Sequence, residues 1–406
     1  MEFGTPSNDI LIEILSRVPD KPLARFKCVS KGWNNMICDP VFQKLQRQNS
    51  KAVISGFFFQ LQDQYELSCQ AKYVSIKDVQ VFVQHTILNF LPENVYVIAS
   101  NNGLLCCRNC WSSFHNPRKY QKVVYVCNPA IKKYVKVEGP KGLWTNSVDV
   151  IRGLGFFSDP FSYSMDDSSN FTLVWISEKV KFKSYSFHIY SSEIGEWRMS
   201  DEVCDCQSLI YNDSRSIFAS GVLYWLTNHD EIVGFDVEKE KSMCIGLPVS
   251  TGQRFRDSCQ KCIGESEGHL QCVFICDGDI KIWSLNCELK WVNKFSMSLA
   301  SMGKEHPIFL YIDAKRKAYR KDLQSWIVPS AFNDEILLQK FICSFSNENG
   351  ILSDVSMKFY MYNLFNRTLK EICTLDELGL FSDIGYHDKW GLIHGRLRSI
   401  SHSMRA

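Results

Sequence analysis

The feature that most constrains this chain is a change of hydrophobic period near residue 50. From Asn8 to Phe42 the apolar residues recur at helical spacing. From about Ala52 onward, short β-rich runs alternate with polar turns, and long helical periodicity is nearly absent. The chain should therefore build a small all-α unit over residues 5–48, followed by a large all-β domain over residues 52–400.

The helical unit reads as four short pieces. Ser7 and Asn8 are N-cap types, and Asp9 follows in the first turn, where a carboxylate offsets the helix dipole. Ile10, Leu11, Ile14, Leu15 and Val18 then form one broad apolar face. Pro19 stops that helix, and Pro22 sits where the next begins. Leu23, Phe26 and Val29 continue an apolar stripe. Ser30 is placed to cap a third helix carrying Trp33, Met36 and Ile37, and Asp39-Pro40 opens a last turn with Phe42 and Leu45. A unit of about 40 residues buries too little surface to be stable alone. Part of its apolar face should meet another surface, either the rest of the chain or a partner.

The β domain carries a loose repeat. Residues 274–283, FICDGDIKIW, are strand residues around an Asp277-Gly278 pair, the signature of a two-residue hairpin turn. Residues 221–237 read the same way, with strands over Val222–Leu226 and Glu231–Val237. A recurring strand ending falls at Cys127-Asn128, Tyr190-Ser191, Phe235-Asp236, Trp283-Ser284 and Tyr362-Asn363. Two of the steps lie near the ~45–50 residues of a four-stranded propeller blade. One blade cannot bury both its faces, whereas blades stacked radially bury one another. The domain is expected to be β-propeller-like with six or seven blades; a β-sandwich pair or an irregular β-rich domain is the alternative. The longer steps leave room for an insertion or a diverged blade, with Phe309–Asp313 as its candidate position.

Both halves resemble a known family. The order Asp9, Glu13-Ile14-Leu15, Arg17, Pro19, Lys21, Leu23, Arg25-Phe26-Lys27-Cys28-Val29-Ser30-Lys31, Trp33, Asp39-Pro40, Phe42 is similar to the plant F-box. It departs from that pattern at Ser7-Asn8, where the family has Leu-Pro, and at Pro22, where it has Ser. The pieces NGLLCC (102–107), VCNPAIKKY (126–134), GLGFFSDP (153–160), IYSSEIGEWR (189–198), SGVLYWL (220–226), FDVEKEK (235–241) and IWSL (282–285) resemble the plant F-box-associated domain, in family order. The resemblance implies a substrate-recognition subunit of a Skp–cullin–F-box ubiquitin ligase. Ile10, Leu11, Ile14, Leu15, Val18, Pro19, Leu23, Val29 and Trp33 would pack against a Skp-family adaptor, and through it reach a cullin and a RING protein. A kelch-like β domain would capture a protein target. Loss of the Leu-Pro removes an apolar contact and leaves a non-ligase interaction scaffold as the alternative.

Composition excludes several other classes. The 406 residues carry 46 basic and 44 acidic side chains, a net charge of +2, so no field of one sign points to nucleic acid or membrane. The basic cluster at 314–317 reads as a solvated loop. There is no apolar run of membrane-spanning length and no secretory h-region, so a cytoplasmic or nuclear location is expected and the Asn-X-Ser/Thr sites are discounted. The 17 cysteines should then be free, mostly buried thiols. The pairs Cys107/Cys110 and Cys259/Cys262 stand too far apart for a zinc ribbon, and Cys204/Cys206 adds little. There is no G-x-S-x-G, H-E-x-x-H or P-loop, and Gly153-Leu154-Gly155 lacks the third glycine of a dinucleotide site. No catalytic residue, cofactor or metal is expected. His188 reads as a packed strand residue and Asp166-Asp167 as part of a solvated loop. The candidate recognition loops are 109–121, 159–170, 204–216 and 249–268, with Trp111 and Trp144 as possible anchors.

Overall fold

The computed structural model describes residues 8–18, 20–49, 52–61, 71–76, 82–84, 87–109, 122–140, 149–163, 169–179, 184–206, 208–210, 214–248, 260–276, 278–307, 323–333, 335–345, 352–374, 376–378 and 397–405. Four helices come first: α1 (Asn8–Leu15), α2 (Asp20–Phe26), α3 (Lys31–Cys38) and α4 (Pro40–Asn49). Of the expected caps, the one at Ser30 forms, and Asp39, at the opening of the last turn, caps α4; Ser7 lies outside the described residues and Asn8 is already the first residue of α1. The Trp33 N–H donates to Ser30 Oγ at 3.1 Å, and the Val41 N–H donates to Asp39 Oδ1 at 2.8 Å. Among the described residues no helix is long and apolar enough to cross a membrane.

The strands follow at once and fall, among the described residues, into six four-stranded antiparallel units. The first holds β1 (Ala52–Leu61), β2 (Lys72–Ser75) and β3 (Phe82–Gln84). The second holds β4 (Val95–Asn101), β5 (Leu104–Asn109), β6 (Val123–Asn128) and β7 (Lys133–Glu138). The third holds β8 (Asp149–Tyr163), β9 (Ser169–Lys179), β10 (Ser184–Ser191) and β11 (Glu196–Cys204). The fourth holds β12 (Ser214–Ala219), β13 (Val222–Leu226), β14 (Glu231–Asp236) and β15 (Lys241–Gly246). The fifth holds β16 (Gln260–Ser266), β17 (His269–Cys276), β18 (Asp279–Leu285) and β19 (Trp291–Ser298). The sixth holds β20 (Leu323–Asn333), β21 (Glu335–Phe345), β22 (Leu352–Asn363) and β23 (Leu369–Thr374). The last strand, β24 (Leu397–Arg405), returns to the first unit and pairs with β1, giving the order β24-β1-β2-β3.

The units close into a ring. β24 touches β4, β4 touches β8, β8 touches β12, β12 touches β16, β16 touches β20, and β20 returns to β24. β8 and β12 approach closely enough to pair in parallel at Gly153 and Leu154, which fuses the third and fourth units into one eight-stranded sheet. Apolar side chains fill the spaces between neighbours. Phe58 and Tyr73 pack on Val97 and Tyr125 between the first and second units, and Ile98 and Val126 on Phe156 and Trp175 between the second and third. Ile176 and Phe187 pack on Trp225 and Phe235, Tyr224 and Ile232 on Leu270 and Leu285, and Val273 and Ile282 on Tyr362. The sixth unit meets the first where the Phe59 and Phe359 rings lie 4.6 Å apart. This is the β-propeller logic: each unit offers two apolar faces and covers both with its neighbours.

The sequence repeat has a backbone cause. Between the first and second strands of three units lie Asn102-Gly103, Ser220-Gly221 and Glu267-Gly268, both residues at positive φ, the turn that matches strand twist. Between the third and fourth strands, a side-chain oxygen accepts backbone N–H groups two to four residues on. Asn128 accepts from Ala130, Asp236 from Glu238 and Lys239, Asn286 from Glu288 and Lys290, and Asn363 from Phe365 and Asn366. A residue at positive φ follows in each case: Lys132, Glu240, Leu289 and Arg367. In the fifth unit the turn residue is Asn286, two positions beyond the Trp283-Ser284 read from the sequence.

Gly153-Leu154-Gly155 also finds its role here. Both glycines lie against the indole of Trp225, which is fully buried. A Cβ at Gly155 would stand 2.7 Å from Leu223 Cδ1 and 2.8 Å from Trp225 Cζ2, closer than packed carbon atoms come. Gly155→Ala is expected to destabilise the β domain by roughly 1–3 kcal/mol, as overpacking does, lowering the denaturation midpoint with little change in the slope. An unchanged midpoint would mean that the indole has room to move.

Other expectations need correction. Residues 159–170 are not simply a loop: β8 runs on to Tyr163 and β9 starts at Ser169, the two still paired at those residues. β16 occupies 260–266, inside the connection expected at 249–268. Its burial alternates, but only Cys262 and Ile263 are apolar, so the strand pattern is faint. A helix, α5 (Leu299–Glu305), interrupts the β domain and places Met302 in the core between the fifth and sixth units. β24 runs to Arg405, past the expected boundary at 400, because it stays paired with β1 along its length. Cys276 is disulfide-bonded, against the expectation of free thiols; twelve other described cysteines are free. Burial pushes the Cys106 and Cys272 thiols well above their ordinary range, as befits inert packing residues. Trp111, Trp144, Cys110, Cys259, Asp166, Asp167, Asp277 and the segment Phe309–Asp313 lie outside the described residues.

Candidate functional site

The helical unit has its own core. Leu15, Leu23, Ile37 and Phe42 are buried together, one from each helix, with Ile12, Val18, Phe26, Trp33 and Met36 packed around them. The Phe26 and Trp33 rings meet edge to face at 5.8 Å. Polar contacts hold α4 across the end of α1: Gln46 Nε2 donates to the Val18 carbonyl at 3.3 Å, and Asn49 Nδ2 donates to Ser16 Oγ at 2.7 Å. α4 in turn rests on β8.

That core divides the nine residues expected to contact a partner. Ile10 is 53% exposed, Ile14 55% and Val29 60%, so three large apolar side chains face solvent. Ile10 and Ile14 stand one turn apart on α1 and share a face. Leu11, Val18 and Trp33 are half-buried, the last two against the core. Leu15 and Leu23 are only 3% and 6% exposed, inside the unit's own core, and so are not available as surface contacts. The reason is geometric: on one helix, positions i and i+1 lie ~100° apart, so an apolar run broad enough to include Ile14 and Leu15 points one inward and the other out. Pro19 lies outside the described residues. Sequence reading missed Val41, which is 77% exposed at the start of α4. Its place directly after Asp39-Pro40, in the first turn of a capped helix, was the available signal.

At the β domain, His188 lies within β10, opposite Trp175 and Met199 on the flanking strands, as a packed strand residue does. Of the expected recognition loops, residues 110–121, 164–168, 211–213 and 249–259 lie outside the described residues.

A short helical unit with its own core and an exposed apolar face, set before a ring of four-stranded β units, defines an F-box protein with a β-propeller. Family models agree with that class. An F-box domain model matches residues 7–45, and a model described as F-box protein At3g26010-like, beta-propeller, matches residues 70–319. The chain belongs to that F-box β-propeller family. Among its relatives, F-box protein At5g07610 of Arabidopsis thaliana is 25% identical over 390 residues, covering 91% of this chain and 86% of that protein. F-box protein At5g49610 of the same plant is 27% identical, covering 69% and 74%. F-box/kelch-repeat protein At3g23880 is 26% identical, covering 70% and 76%. Among solved structures, the WD40 domain of SCAP from fission yeast aligns over 86% of this chain and 74% of its own, at 11% identity and a TM-score of 0.33.

Proposed function

We propose that this chain is the substrate-recognition subunit of a Skp–cullin–F-box ubiquitin ligase. Its F-box docks on a Skp-family adaptor, which links it to a cullin and a RING protein, and its propeller holds a protein target. The observation that carries this reading is the exposed set Ile10, Ile14 and Val29 on a helical unit whose core is already filled. Large apolar side chains left exposed on a small domain whose core is filled, two of them on one face of α1, point to an interaction site. F-box family membership supports the adaptor as the partner.

The chain itself supplies no chemistry in this scheme. Holding a target beside a ubiquitin-loaded enzyme raises the effective concentration of the reacting groups, and the partner enzyme performs the transfer. The proposal places the protein in the cytoplasm or nucleus. The test is co-purification of the full chain with a Skp-family adaptor and a cullin–RING pair, followed by ubiquitination of proteins captured on the propeller. A stable complex with ubiquitin transfer is expected. A complex without transfer would favour a non-ligase scaffold, and no complex would remove the adaptor from the scheme.

A further inference from the structure

Where the third unit meets the fourth, three donor side chains from separate stretches of sequence converge. Cys206 follows β11, Glu231 opens β14, and Cys244 lies in β15. Their Sγ and carboxylate atoms all lie within 4.8 Å of one another. The two Sγ atoms are 3.3 Å apart, and Cys206 Sγ is 3.6 Å from Glu231 Oε2. The sheet register brings Glu231 and Cys244 together: Glu231 pairs with Gly246 and Val233 with Cys244, so both side chains leave the same face. That face packs on Cys204 and Cys206 of the neighbouring unit.

We propose that Cys206, Cys244 and Glu231 bind one zinc-like divalent cation that clips the third unit to the fourth. On a tetrahedral zinc, with Zn–S of ~2.3 Å and Zn–O of ~2.1 Å, sulfur and oxygen donors stand about 3.6 Å apart and two sulfurs about 3.8 Å apart. The first spacing is already present, and the second needs an opening of about half an ångström. Both thiols lose their protons to solvent on binding, and the two thiolates, the carboxylate and the dication leave a single net negative charge. The fourth position falls to water, since Cys244 is exposed.

The surroundings hold the donors in place. The Ser208 hydroxyl donates to the Glu231 carboxylate, the kind of outer contact that aims a metal ligand. Tyr185 Oη donates to the Ser208 carbonyl at 2.8 Å and accepts the Ile210 N–H at 3.0 Å, so the segment after β11 is tied to the core. The described side-chain partners of Glu231 are a hydroxyl and a thiol, neither of them cationic. Zinc suits thiolates mixed with one carboxylate better than magnesium or calcium, which take oxygen donors. A disulfide is the competing fate of two close thiols; a cation held by both sulfurs and the carboxylate would occupy the thiolates that oxidation needs.

The test uses the full chain, reduced with a phosphine under nitrogen and titrated with Co2+ as a coloured stand-in, then with Zn2+. One equivalent of Co2+ should bind and produce a thiolate-to-cobalt charge-transfer band that Zn2+ abolishes. Cys244→Ser should lose the band, and Glu231→Gln, nearly isosteric, should weaken binding at least about tenfold. Cys287→Ser, which removes an exposed thiol elsewhere, should change nothing. No band in the wild type, an unaltered band in Cys244→Ser, unaltered affinity in Glu231→Gln, or a Cys206–Cys244 disulfide as the resting state would each overturn the proposal.

Discussion

Ile14→Asp abolishes co-purification with a Skp-family adaptor and leaves the thermal unfolding of the chain within about 0.5 kcal/mol of wild type. Ile14 is more than half exposed, so its side chain contributes little to the fold. A carboxylate there meets water in the free protein and an apolar surface in the complex. Truncating an interface anchor typically costs 2–4 kcal/mol, or about 30- to 1,000-fold in affinity, and burying an unpaired charge in its place costs more. Ile10→Asp and Val29→Asp should each weaken the same complex without disturbing the fold. Leu15→Asp should also lose the adaptor, but for a different reason. Its carboxylate would be buried beside Leu23, Ile37 and Phe42, which costs several kcal/mol and unfolds the helical unit. The comparison of neighbouring positions is therefore decisive. Calorimetry separates a lost contact from a lost fold, and wild-type affinity in Ile14→Asp would show that the exposed face of α1 is not the docking surface.

The contrast between Ile14 and Leu15 also shows what the sequence reveals and where it stops. Helical period identifies which residues of α1 are apolar, but not which side of a broad stripe turns inward. That is settled by Ile37 and Phe42, from helices that fold back on it. Caps are local chemistry, and the one at Ser30 was legible: it accepts the Trp33 N–H, while Asp39, read only as opening the last turn, accepts those of Val41 and Phe42. The propeller repeat was legible for the same reason, since four of the units use a polar residue such as Asn128 or Asp236 to turn the chain. β16 and α5 were missed because neither announces itself by composition. β16 is a strand of mostly polar residues, and α5 contributes one buried methionine to a core built by strands. The Cys206–Glu231–Cys244 cluster was out of reach altogether. Its members are 25 and 13 residues apart in turn, and only the β14–β15 register and the contact between two units bring them together.

Deleting residues 397–405 should have the largest effect on the fold. β24 is paired with β1 from Ala52 to Leu61, and it also touches β4 and β20, the strands on either side of it in the ring. Its loss would strip the ladder from one side of β1 and open the interfaces of the first unit with both the second and the sixth. Phe57, Phe58 and Phe59 are buried in that unit, and Gln60, whose amide exchanges hydrogen bonds with the Val97 backbone at 2.6 and 2.9 Å, ties it to the second. At roughly 1 kcal/mol for each ladder hydrogen bond, with apolar exposure added, the loss is comparable with the 5–15 kcal/mol that holds a domain folded. The truncated chain should be insoluble or unfold without a cooperative transition, and protease should cut it throughout the β domain. Ser401→Pro tests the same pairing more gently, since a proline opposite Phe57 fixes φ within the paired strand and should lower the midpoint without erasing the transition. A truncated chain that unfolds cooperatively at the wild-type temperature would mean that the ring does not depend on β24 for its closure.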